Sequence, residues 1–305
     1  AAILSENGSH TGEGKERDMA GLAPGMSGLS LGGEVERLRQ ENRDLKRQLG
    51  GGGVKPSLNI PWEDLDLGDQ ISGGGFSVVY RGYWLKTPVA IKRWFDPEMT
   101  ERLLQEFREE VMTLQELSHP NIVQLMGVCS KPPNLAMVTE YMPHSLFHVL
   151  HNTNIEVDRK RAISLAKDIC GAFIYLHSRS PPVIHRDIKP ANFLLDRAWK
   201  LKVCDFGLAS QNARMAGAGT PAYMAPELLA GTGFNEKVDV YAFGICLWEM
   251  VSRLIPFDGT PPGQLKEHII GGGRPEVPLS CPKSMANLIK VGPLAAHRCT
   301  ARPCL

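Results

Sequence analysis

No stretch of the 305 residues is apolar for long enough to cross a bilayer as a helix, which takes about 20 such residues. Charge of either sign is not in excess: 34 Lys and Arg stand against 33 Asp and Glu, a formal net charge of +1. Composition therefore predicts neither nucleic acid nor an anionic membrane as a partner. Paired cysteine spacing is missing as well. Seven scattered Cys, an odd number, do not make a secreted disulfide framework and fit a reducing, cytoplasmic setting. The chain also lacks an initiator Met and a signal peptide; it begins Ala1-Ala2-Ile3 and is read as a fragment. What is present, 43% hydrophobic and 22% charged residues, is enough to bury a substantial core in one or two domains.

Residues 1–33 are rich in Gly, Ser and charge without an apolar period, which predicts disorder. Over residues 34–49 the pattern changes. Val35, Leu38, Asn42, Leu45 and Leu49 fall at heptad a, d, a, d and a positions, with Glu34 and Glu41 at g facing Arg39 and Lys46 at e of a partner. Two heptads are short for a stable helix. The segment is a weak homodimerising zipper, a solvated helix or a disordered stretch. Residues 50–59, starting Gly50 to Gly53, read as a linker.

The chemistry is concentrated in VIHRDIKPANFLLDRAWKLKVCDFGL, Val183 to Leu208. Short period-two runs (Val183-Ile184, Phe193 to Leu195, Leu201 to Cys204) read as strands, with polar residues at their ends. Phosphoryl transfer needs metal ions on the phosphates, a positioned hydroxyl and compensation of negative charge. Asp187 can accept or orient the proton of an attacking hydroxyl. Asn192 and Asp205 supply hard oxygen ligands suited to Mg²⁺, and Lys189 can reach the transferring group.

His185-Arg-Asp-x-Lys-x-x-Asn192 followed by Asp205-Phe206-Gly207 resembles the protein kinases. A lone DFG tripeptide arises by chance; the longer combination in this order does not. The resemblance covers roughly Ile60 to Ile289 and implies an α+β, two-lobed protein kinase fold. The small antiparallel sheet with one helix would occupy residues 60–142, and a mainly helical lobe residues 143–305. Ile71-Ser-Gly-Gly-Gly-Phe-Ser-Val-Val-Tyr80 is similar to the glycine-rich loop that covers ATP, with Ser72, Gly74 and Ser77 at its three glycine positions and Val79 at its valine. Two serines there predict a weaker grip on phosphate, with Gly73, Gly75 and Phe76 completing the loop. Val89-Ala90-Ile91-Lys92 resembles the strand whose lysine faces the phosphates, Ala90 lying on the same side.

The next helix starts in this reading with Asp96 as cap and Pro97 at its first position. Its apolar stripe is Leu103, Phe107, Leu114 and Leu117, and Glu110 falls on that stripe. An inward carboxylate must be paired, and the family pairs it with the strand lysine, Lys92. By the same resemblance Thr139 backs the adenine pocket, Glu140, Tyr141 and Met142 form the hinge, and Leu194 belongs to the nucleotide-binding set. The run after the hinge, Met142-Pro-His-Ser-Leu146, is one residue shorter than usual and puts the hinge-to-helix geometry in question. His144, His148 and His151 tempt a metal reading, rejected because nothing acidic or thiol-bearing completes a site.

Arg159 to His177 reads as a helix with Ala166, Ile169, Phe173 and Leu176 inward, and Val238 to Val251 as an almost wholly apolar one interrupted by Asp239. The resemblance makes Asp239 a support of the catalytic loop beneath an internal stack of Leu125, Leu114, Phe206 and His185. It also makes Thr220 a structural contact of Asp187 and Lys189. Ser210 is the one hydroxyl residue of the loop before Thr220, so little dependence on loop phosphorylation is expected. After Ile289 the family pattern fails: KVGPLAAHRCTARPCL shows no Cys-Trp and no closing helix. Arg302-Pro303 is the candidate partner of Glu227, whose carboxylate would otherwise be buried alone at a cost of about 3–5 kcal/mol.

The expected function is ATP- and Mg²⁺-dependent phosphorylation of protein Ser/Thr hydroxyls, Lys189 favouring these over Tyr. Details such as Ile60-Pro-Trp-Glu-Asp-Leu65 look like the tyrosine-kinase-like group, near plant Raf-like and mixed-lineage kinases, which implies a place in a MAP-kinase cascade. The rival is a pseudokinase scaffold, favoured by Ser72, Ser77 and the altered C-terminus. A dinucleotide-binding reading of the glycine loop fails, because Val78 to Tyr80 continues as strand where that motif needs a helix.

Overall fold

Val89 and Ile91 are fully buried on one side of a strand whose other side carries Ala90, Lys92 and Trp94, and this alternation sets the architecture. The computed structural model describes residues 54–74, 77–95, 100–209 and 219–297, giving the backbone alone for 291–297. All belong to one compact unit, Gly52–Leu305. The disorder, zipper and Gly50–Gly53 expectations, and those on Gly75, Phe76, Asp96, Pro97, Ser210 and Arg302-Pro303, lie outside the described residues.

Strands β1 (Leu65–Gly74), β2 (Ser77–Trp84), β3 (Thr87–Trp94), β4 (Leu125–Lys131) and β5 (Asn134–Glu140) form an antiparallel sheet in the order β1-β2-β3-β5-β4. A two-residue turn at Leu85 and Lys86, both at positive φ, joins β2 to β3, the backbone that matches strand twist. In register, Lys92 lies between Val79 and Met137, and Ala90 between Arg81 and Thr139. One face buries Leu65, Val89, Ile91, Cys129, Ala136 and Val138; the other meets helix α1 (Glu101–Gln115).

The cap of α1 is Thr100, whose Oγ1 accepts from Leu103 N. Leu103, Phe107, Glu110 and Leu114 are buried along it. Its period-3.6 stripe thus packs as read.

The rest is mainly helical: α2 (Leu146–His151), α3 (Arg159–His177), α4 (Pro226–Ala230), α5 (Lys237–Ser252), α6 (Pro262–Ile270) and α7 (Lys283–His297). Between α3 and α4, β7 (Phe193–Leu195) pairs with β8 (Leu201–Val203) on one side and with a two-residue strand, β6 (His144–Ser145), on the other. Val183 and Ile184 are not a strand. They join no ladder, and the Val183 N–H is bonded to Leu176 O.

The shortened run after the hinge closes without difficulty. His144 pairs with Leu195, and Ser145 both pairs with Leu194 and caps α2 through Oγ, which accepts from His148 N. In α3 the buried positions are Ala162, Leu165, Ile169, Ala172, Phe173 and Leu176, with Ala166 half-buried. Helix α5 is buried on all sides and forms the spine of this half. Helix α7 corrects the expectation that no helix closes the chain: Met285 and Ile289, four residues apart, are buried against the core and hold a helix that runs to His297. Among the described residues no helix is long and apolar enough to cross a membrane.

Candidate active site

Three elements bring charge to one point. Lys92 Nζ on β3 donates to Glu110 Oε1 and Oε2 on α1 at 2.8 and 2.9 Å, and to Asp205 Oδ1 after β8 at 2.9 Å. Glu110 is 4% exposed, whereas the Asp205 side chain keeps 43% of its surface. Burial pushes the Glu110 carboxyl up against the pull of Lys92. Burial opposes charge on Lys92, but the two carboxylates outweigh it and hold the ammonium above its ordinary range. At Asp205 burial is likewise overcome, by Lys92 above all, and the carboxyl is held low, which leaves it ionised and able to receive a cation. Gly207 allows the approach of Glu110: a Cβ there would stand 3.2 Å from Glu110 Oε2.

The loop before β7 presents a second group. Asp187 Oδ2 lies 2.7 Å from Lys189 Nζ and accepts from Asn192 Nδ2 at 3.1 Å, while its Oδ1 accepts from Thr220 Oγ1 at 3.2 Å. Lys189 Nζ also donates to Thr220 Oγ1 at 3.0 Å. Thr220 thus touches both residues, as the sequence led one to expect. Asn192 Nδ2 further donates to Asp187 O, so its amide oxygen is the atom it can offer a metal.

Buried partners hold the loop. Asp239, fully buried on α5, accepts from the backbone N–H groups of His185 and Arg186 and lies 2.9 Å from His177 Nε2. His185 Nδ1 accepts from Asp187 N, so Nε2 carries the proton and donates to Cys204 O. Arg186 and Asp205 both sit at positive φ, backbone that persists only where surroundings enforce it. The His185 and Phe206 rings are 5.0 Å apart, and Leu114 and Leu125 are buried in the same core. Cys204 is half-buried, and burial pushes its thiol pKa well up.

A cavity of about 710 Å³ opens between the sheet and the catalytic loop. Ile71, Ser72, Gly73, Ser77, Val79 and Ala90 line its sheet side; Thr139 and Met142 its back; Leu194 its base; Lys92, Glu110, Lys189, Asn192 and Asp205 its polar end. Gly74 pairs with Ser77 at the tip of the hairpin. Glu140 does not line the cavity: its carboxylate accepts from Lys202 Nζ and Gln124 N, and its N–H bonds Gln124 O. An apolar slot ending in an ionised carboxylate, an amide oxygen and two ammonium groups fits a nucleoside triphosphate with Mg²⁺.

Met137 lines the same cavity and went unnoticed in the sequence, although it lies two residues before Thr139 on the same face of β5. Glu249 went unnoticed too. It is fully buried on α5, with Tyr223 Oη donating to Oε2 and His151 Nε2 beside Oε1, each at 2.7 Å. The acid missing from the histidine run is therefore present at His151, while His144 and His148 stand apart with parallel rings 6.1 Å away from each other. Among the described residues no three metal-binding side chains cluster. Glu227 is half-buried, so its carboxylate does not carry the expected full burial penalty.

Residues 65–303 match the family model described as protein tyrosine and serine/threonine kinase. Among curated proteins the chain is 41% identical over 212 residues to a probable serine/threonine-protein kinase, SIS8, of Arabidopsis thaliana, covering 68% of this chain and 21% of that protein. It is 40% identical over 227 residues to the serine/threonine-protein kinase CTR1 of the same plant, 72% of this chain and 27% of that one. A probable serine/threonine-protein kinase of Dictyostelium discoideum, drkA, is 37% identical over 260 residues, 83% of this chain and 40% of that protein. The chain thus spans well under half the length of these relatives.

Proposed function

Because the chain belongs to the protein tyrosine and serine/threonine kinase family, we propose that it transfers the γ-phosphoryl group of Mg-ATP to a serine or threonine hydroxyl of a protein. The observation that carries the reading is the convergence of Lys92, Lys189, Asn192 and Asp205 on one cleft, with Asp187, which does not itself line the cavity, bonded to Lys189 and Asn192. The apolar walls from Ile71 to Leu194 take the base. Lys92, held by Glu110, directs its ammonium at the phosphates. Asp205 and the Asn192 amide oxygen would hold Mg²⁺, which neutralises phosphate charge when bound. Asp187 orients the acceptor hydroxyl and takes its proton, and Lys189, tied to Asp187, stabilises charge on the group in transit.

A cytoplasmic setting belongs to the same proposal, supported by the free thiols of all the described cysteines. So does a weak homodimer through residues 34–49, supported by heptad spacing alone. A MAP-kinase cascade rests on the likeness to the tyrosine-kinase-like group. Ser72 and Ser77 at glycine positions favour a second reading, a scaffold that binds nucleotide without transfer.

Radiolabelled phosphate transfer from Mg-ATP to a generic protein acceptor separates the two. Wild type should transfer label, and Asp187→Ala should lower the rate about 10²–10⁴-fold while nucleotide binding persists. Equal transfer by the variant, or binding with no transfer by wild type, overturns the enzyme reading.

A further inference from the structure

We propose that Trp94 is a positioning residue that sets the Lys92–Glu110 pair; this rests on the reading that Lys92 serves the nucleotide phosphates. Trp94 follows Lys92 by two on β3 and so shares its face. It is 4% exposed, and its ring centroid lies 5.0 Å from Lys92 Nζ. On its other side the indole meets Phe107 of α1 edge-to-face, with centroids 5.1 Å apart and planes at 78°. Phe107 precedes Glu110 by three on the same helical face. The contacts therefore close a circuit: Lys92 to Trp94 along the strand, Trp94 to Phe107 across to the helix, Phe107 to Glu110 along it, and Glu110 back to Lys92 at 2.8 Å.

That circuit does what the ion pair alone cannot. A carboxylate on a helix keeps its place over a strand lysine only while the helix keeps its rotation, and a rigid ring wedged three residues away fixes that rotation. The ring also gives the ammonium a partner of a different kind. Glu110 and Asp205 both accept hydrogen bonds from Nζ, as a phosphate would. The π-face attracts the charge without occupying an N–H donor, so Nζ can redirect its hydrogen bonds to phosphate while remaining held.

The test uses the full chain with Trp94→Leu, Trp94→Phe and, from the helix side, Phe107→Leu. In the nucleotide-free protein, acetylation of Lys92 by a small acylating reagent, read by mass spectrometry, should rise several-fold in both leucine variants and stay near wild type in Trp94→Phe. In the transfer assay the leucine variants should lose about 10–100-fold in kcat, with KM for the protein acceptor unchanged and Trp94→Phe largely restored. A wild-type rate of Lys92 acetylation in folded Trp94→Leu or Phe107→Leu overturns the proposal. So do losses in kcat that merely track melting temperature across the three variants. Should wild type transfer no phosphate, the kinase reading fails, and the Lys92 labelling still decides this one.

Discussion

Lys92 and Glu110 are unequal partners because their surroundings differ. The lysine side chain keeps 18% of its surface and a second carboxylate, Asp205, whereas Glu110 is 4% exposed and Lys92 is its one hydrogen-bonding partner among the described side chains. Removing the lysine therefore strands a buried carboxylate. Lys92→Met should destabilise by about 3–5 kcal/mol, and Glu110→Gln by roughly 1–2 kcal/mol, since Lys92 retains Asp205. The double variant Lys92→Met/Glu110→Leu should recover most of the loss, because no fully buried charge is left without a partner; Asp205, which also loses Lys92, keeps 43% of its surface. Urea unfolding of the three variants measures this. A Lys92→Met loss no larger than that of Glu110→Gln would show that Glu110 reaches water when its partner goes.

Glu249 does for elements what that pair does for residues. From α5 it reaches Tyr223, three residues beyond Thr220, and His151 at the end of α2. Arg253, at left-handed φ where α5 ends, adds donors to the carbonyls of Val149, Leu150, Thr153 and Ile155. Helix α2 has only six residues and little strength of its own, so these contacts fix where the hinge delivers the chain. Burial pushes the Glu249 carboxyl above its ordinary range against the pull of His151 and Tyr223. A raised folded pKa gives stability that is full below the unfolded carboxylate pKa and is lost as pH rises through the folded value. Glu249→Gln removes that loss. Thermal melts from pH 4 to pH 7 should show the glutamine variant gaining on wild type as pH rises; a difference independent of pH would mean that burial does not shift this carboxyl. How far such elements were legible depends on where their cause lies. The stripe of α1 and the placement of Glu110 follow from a local period, whereas the residues of the catalytic loop were legible through a motif, His185 to Asn192 with Asp205 to Gly207, and its resemblance to the protein kinases. The partners of Glu249 lie 98 and 26 residues away, and no local pattern announces them. Val183-Ile184 has strand composition but lacks a ladder partner, which only the tertiary structure supplies. The one-residue shortening after the hinge looked like a defect until β7 appeared as a partner for His144 and Ser145.

For the molecule as a whole, the sheet supplies Lys92 and the glycine-rich hairpin, while the half built on α5 supplies Asp187, Asn192 and Asp205. A ligand that touches both sets must stabilise the fold that brings them together. At a nucleotide concentration of about 100 Kd the gain is about 2.7 kcal/mol. In a domain of this size each kcal/mol raises Tm by roughly 2–4 °C, so a shift of about 5–10 °C is expected with Mg-ATP. Part of that shift belongs to the cation. Asp205 is ionised, half-exposed to the cavity and bonded to Lys92 alone among the described side chains, so it has capacity left for a metal. Asp205→Asn retains an oxygen but removes the charge, and should reduce the Mg-ATP shift to the level seen with ATP and a chelator. A shift that ignores both the chelator and the substitution would take Mg²⁺ away from Asp205, leaving Lys92 and the apolar walls to hold the nucleotide on their own.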